Sequence, residues 1–65
     1  MRKRTFFANV DVVAHYKHST SIIVLYVKHE EGETNDSIRE KAKKKALENG
    51  YDSTGEATIR YRDDR

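Results

Sequence analysis

Ser21 to Val27, Ser-Ile-Ile-Val-Leu-Tyr-Val, is the one stretch of this chain in which apolar residues follow one another without a break for more than a few positions. A run of this length, rich in β-branched and aromatic side chains, suits a strand with both faces at least partly covered better than a helix. Such a strand needs neighbours, so the flanking sequence has to supply further strands and something to cover them.

Before the run, Thr5 to Tyr16 alternates. Phe6, Ala8, Val10, Val12, Ala14 and Tyr16 fall on one face, and Phe7, Asn9, Asp11, Val13 and His15 on the other. Period two marks a strand, and the apolar first set is its core face. Lys17-His18-Ser19-Thr20 is a polar break that turns the two strands into a hairpin. A two-residue loop at His18-Ser19 sets Ala14, Val12 and Val10 opposite Ile23, Leu25 and Val27. A slip of two residues keeps the same faces together, so the hairpin is better specified than its register. The other face of the second strand carries Ile22, Val24, Tyr26 and Lys28.

After the run, His29-Glu30-Glu31-Gly32-Glu33 ends the strand with charge and a glycine. Thr34 is a suitable N-cap for a helix over residues 35–49, and Ser37 with Glu40 fits a capping box one turn later. Ile38, Ala42 and Ala46 make a narrow apolar stripe with Leu47 on its flank, so Ile38 and Leu47 are the expected anchors on the sheet. Asn49-Gly50-Tyr51 is a helix stop in which Gly50 takes the left-handed position. Residues 56–62 alternate again, with Ala57, Ile59 and Tyr61 set against Thr58, Arg60 and Arg62. Asp63-Asp64-Arg65 reads as a polar tail and Met1 to Arg4 as a basic lead. The expected fold is α+β: one domain over residues 1–65, in the order β-β-α-β. Its three-stranded, mainly antiparallel sheet has strands over residues 5–16, 21–28 and 56–62 and one helix on one face. A crossover can set the last strand beside either the first or the second, and the sequence leaves both orders open.

Sixty-five residues support only a small core, and chains of this size commonly need a supplement. The chain has no cysteine, so disulfides are not that supplement, and oligomerisation or a larger partner is. Thirteen basic side chains are interleaved with 11 acidic ones, and the resulting net charge of +2 is too small to compel a nucleic-acid reading. No apolar segment approaches the roughly 20 residues that span a bilayer, and no signal-peptide core follows the basic start. The expectation is a cytoplasmic protein without membrane association.

One helix covers one sheet face. The other, with Phe7, Val13, Ile22, Val24 and Tyr26 flanked by Arg60 and Arg62, is left for a protein partner or a second copy of the chain. The same face can be read as a nucleic-acid platform of stacking aromatics and phosphate-binding cations, although it lacks the Gly-containing consensus of RRM sheets and carries Asp11 at its middle. Lys41, Lys43, Lys44 and Lys45 form a basic run that serves either as a solvated helix face or as a contact for an acidic partner or phosphate backbone. His15, His18 and His29 lack ligand spacing, and His15 and His29 have opposite strand parity, so no metal is expected. No nucleophile, base or phosphate-loop pattern is present, which leads to the expectation of a protein that is not an enzyme and uses no cofactor.

Arg60 and Arg62, alternate arginines on the last strand, together with the β-β-α-β layout and the length, give the chain a resemblance to the small RNA-polymerase inhibitor family of the T-odd coliphages. The resemblance implies a phage- or prophage-encoded regulatory protein that binds a host protein, with Arg60 and Arg62 at the contact. The more basic helix sets this chain apart from that family.

Overall fold

The computed structural model describes residues 4–64, so the basic lead over Met1 to Lys3 and the final Arg65 lie outside the described residues. Its elements are β1 (Thr5–Tyr16), β2 (Ser19–Glu30), α1 (Asn35–Glu48) and β3 (Ser53–Arg62). They form one antiparallel sheet in the order β2-β1-β3, with α1 on one face, an α+β fold that settles the order the sequence left open.

The β1 alternation does what its pattern requires. Ala8, Val10, Val12 and Ala14 are buried, while Tyr16, at the end of the strand beyond the helix, is exposed. Val27 joins them from β2 and Ala57 from β3, and Ile38, Ala42 and Ala46 press down from the helix. The two alanines bring the helix axis close to the sheet, and Ile38 is the large side chain of the stripe. Complete burial of a side chain of that size contributes roughly 1.5–3 kcal/mol. Leu47, expected as a second anchor, is instead 46% exposed, because one residue past Ala46 the helix has rotated its side chain off the stripe.

The hairpin register is two residues from the simplest expectation: Val10 opposes Leu25 and Val12 opposes Ile23. The loop is therefore Lys17-His18, and β2 begins at Ser19 rather than Ser21. Lys17 takes a left-handed φ of 55°. Its amide donates to the Asp52 carboxylate at 2.7 Å, which pins the tip of the hairpin to the segment after the helix. As the period-two argument requires, the slip changes which residues pair but not which faces they show.

At its other end β2 continues through His29, which is buried and not the polar stop expected. Its ring stacks on Phe6 at 6.1 Å, and its Nδ1 donates to the Glu30 carbonyl at 2.9 Å. Thr34 caps α1 as expected, its hydroxyl oxygen accepting from the Ser37 amide. Ser37, whose hydroxyl donates to Glu33 at 2.7 Å, lies inside the helix, so the start is at Asn35 and not at a box one turn later. Gly50 takes φ 100° at the helix exit, and the Tyr51 amide returns to the Ala46 carbonyl.

β3 begins at Ser53, earlier than expected, and its register against β1 shifts twice. Val10 pairs with Ile59 but Asn9 pairs with Tyr61, so Arg60 is an extra residue, a β-bulge that reverses the alternation beyond it. Tyr61 turns out to the open face, 55% exposed, and Arg62 turns in under the helix, 6% exposed. The inward Arg62 is fully engaged. It donates to Asn35 at 2.7 Å and, through two nitrogens, to both oxygens of Asp64 at 3.0 and 2.9 Å. Asp64, expected in a solvated tail, also accepts from the Gly32 amide at 3.3 Å. The guanidinium, and after it the amide, hold this carboxyl below its ordinary pKa.

Candidate functional site

Three strands present one uncovered face, and its side chains follow from the pairing. Phe7, Asn9, Asp11 and Val13 come from β1, Ile22, Val24 and Tyr26 from β2, and Thr58, Arg60 and Tyr61 from β3. Ile22 is 70% exposed, Val24 66% and Tyr26 64%, so the outward half of the Ser21–Val27 run is largely in solvent. Phe7 packs edge-on against Tyr26 with ring centroids 5.9 Å apart. Val13 is half-buried because Gly55 of β3 comes in over it: a Cβ on Gly55 would lie 3.3 Å from two Val13 carbons.

Asn9 sits between Tyr26 on one side and Tyr61 on the other. With Phe7 and Asp63 these residues line a depression of about 200 Å³, and among the described residues the enclosed Asn9 Oδ1 has no hydrogen-bond partner. Tyr61 belongs to this site although its alternation assigns it to the core. The bulge at Arg60 places it there, and no turn residue in the sequence signals that bulge. Arg62, placed on this face by the same alternation, is corrected to the opposite one. The two arginines that carry the phage-inhibitor resemblance therefore do not share a surface. Arg60 stays outward, with its Nε 3.3 Å from the half-buried Asp11, and offsets the negative charge at the middle of the face.

The basic run on α1 divides in use. Lys41 reaches Glu33 at 2.8 Å and the Lys28 carbonyl at 3.5 Å, and Lys45 donates to the Tyr26 carbonyl at 2.7 Å. These two lysines thus lie over the outer edge of β2. Lys43 is 3.9 Å from Glu40 across one turn. Lys44 lines a groove of about 370 Å³ with Lys28, Tyr26, Phe7 and Glu48. The Glu33 pKa is lowered to about 2, foremost by its hydrogen bond from Lys41, with the Glu30 amide and the Ser37 hydroxyl adding to it.

His15 and His29 fall on opposite faces, His15 bonding to Thr20 at 2.9 Å on the open one. Among the described residues no group of three or more His, Cys, Asp or Glu side chains is placed to hold a metal ion. Among the described residues no helix is long and apolar enough to cross a membrane. Compared with models of known protein families, with curated proteins and with solved structures, the chain finds no match in any of the three.

Proposed function

We propose that this chain is a small, non-enzymatic binding or regulatory protein that works through protein–protein contact. Phe7, Val13, Ile22, Val24 and Tyr26 form its contact surface, Arg60 supplies the charge at its margin, and Tyr61 joins them. The observation that carries this reading is the apolar strip on the open face, Ile22, Val24 and Tyr26 with Phe7 and Val13 beside them, which no element of the described chain covers. Contiguous apolar patches of this kind mark interaction sites on small proteins. The resemblance in length and element order to the T-odd coliphage inhibitor family is the ground for a phage or prophage origin and a cytoplasmic host target. Arg62 has no part in the contact.

The test is a pull-down from nuclease-treated cell extract, comparing the chain with Phe7→Ser, Tyr26→Ser and Arg60→Glu. Captured protein should be lost in at least the two aromatic variants while circular dichroism is unchanged, and capture by all three overturns the reading. One observation favours a second reading. The groove in which Lys28 and Lys44 flank Tyr26 and Phe7 joins cations to stacking surfaces, the combination that binds single-stranded nucleic acid. Gel shifts that fall steeply with salt, and fall further in Lys44→Glu, would replace the first reading with this one.

A further inference from the structure

The hydrogen-bonding groups along the outer edge of β2 are unevenly covered. The Tyr26 carbonyl accepts from Lys45, so Tyr26 and every second residue along the strand turn their N–H and C=O away from β1. Those residues are Thr20, Ile22, Val24, Tyr26, Lys28 and Glu30. At the far end the carbonyls of Tyr26 and Lys28 are held by lysines, and Glu30 bonds to Glu33 through both its amide and its carbonyl. At the hairpin end, Thr20, Ile22 and Val24 have no such cover from the described residues. No charged residue occurs between Ser19 and Val27, and β2 pairs with β1 in unbroken register over its whole length. A regular, uncharged, apolar edge is what natural sheets avoid when they are to remain alone.

We infer that β2 pairs with β2 of a second copy, antiparallel and centred on Ile22, joining two sheets into one six-stranded sheet. This deepens the protein-contact reading above and rests on it. The uncovered stretch selects this occupant because it is complementary to itself. With Ile22 on the two-fold axis, Ile22 meets Ile22 and Thr20 meets Val24, and each pair exchanges both backbone bonds. All the groups used are the uncovered ones, so neither Lys41 nor Lys45 has to release its carbonyl. Centring on Val24 would instead pair Ile22 with Tyr26, whose carbonyl Lys45 already occupies. The uncharged stretch sets no like charges opposite each other, and the exposed Ile22 and Val24 side chains pack across the junction. A two-fold axis perpendicular to the sheet leaves both helices on one side and doubles the width of the open face.

The contact is short and the dimer weak, so the test is run from micromolar to millimolar chain. Sedimentation should give a mass rising from 7.6 kDa toward twice that value. Residue-resolved amide exchange should slow at Thr20, Ile22 and Val24 as concentration rises, and not at Ala57, whose amide faces outward on β3. Where about nine-tenths of the chains are paired, the slowing is about tenfold, set by the unpaired fraction. Ile22→Lys puts like charges opposite each other at the axis and should leave a folded monomer at the same concentrations. A monomer throughout overturns the inference and leaves the protein-contact reading to the Phe7 and Tyr26 variants. A dimer that protects the Phe7–Tyr61 face instead of the three β2 amides also overturns it while supporting that reading.

Discussion

The two outer strands of this sheet flank the same central strand and are built on opposite plans. β3 is bulged twice, admits Gly55 where a side chain would crowd Val13, and is tied to the start of the helix by Arg62, which bonds to Asn35. β2 is unbroken, uncharged over its middle, and guarded only toward Glu30, by lysines that belong to the helix. Bulges and inward charges stop a strand from accepting a further neighbour, and an even strand invites one. The difference teaches that one edge of the sheet is closed by its own sequence and the other by whatever the helix can reach.

Substitution at the β3 bulge should break the contrast most. Gly55→Val introduces carbons where Val13 already stands at 3.3 Å, and overpacking of this kind costs about 1–3 kcal/mol, read from the urea midpoint. An unchanged midpoint would mean that β3 is as plain an edge as β2. Acid should act next, at the guarded end of β2. Glu33 has a folded pKa of about 2, below its ordinary value of 4.5, so its contribution is in full force above that ordinary value and fades as pH falls toward 2. Asp64 works in the same direction through Arg62. Urea midpoints should therefore drop between pH 5 and pH 2.5, and Glu33→Gln should lower the pH 5 midpoint and flatten part of that drop. A variant with the same acid profile as the parent would remove Glu33 from the guard. The smallest effect is expected from Arg60→Ala, since its guanidinium lies largely in solvent and an ion pair so placed is worth less than about 1 kcal/mol. A larger loss would make that pair a structural tie like Arg62.

Most of this architecture is written in local pattern. Alternation along Thr5–Tyr16 identifies both faces of β1, and Thr34 and Gly50 mark the helix ends, because each signal depends on neighbours in sequence. The open face is legible by subtraction, as Phe7, Val13, Ile22, Val24 and Tyr26 have only one helix available to cover them. The parts that escape depend on distant residues. The β2 register follows the turn at Lys17 and its tie to Asp52, and alternation is blind to a slip of two. The exchange of Tyr61 for Arg62 follows a bulge at Arg60 that needs β1 as its reference. His29 looks polar in sequence and is buried against Phe6, a residue 23 positions earlier, which no window along the chain can reveal.

The bond from the Asp63 amide to the Phe7 carbonyl, 2.9 Å long, has a consequence for the order of assembly. The β1–β2 hairpin closes across a two-residue loop and can form early, since short loops close fast and at little entropic cost. β1 cannot be completed on its other side until residues near 63 return to residues near 7. A nascent hairpin emerging from a ribosome therefore waits with the β3 side of β1 unpaired until residues near 63 have been made. Its most vulnerable interval is one of synthesis, and slowing translation after Gly50 would lengthen it.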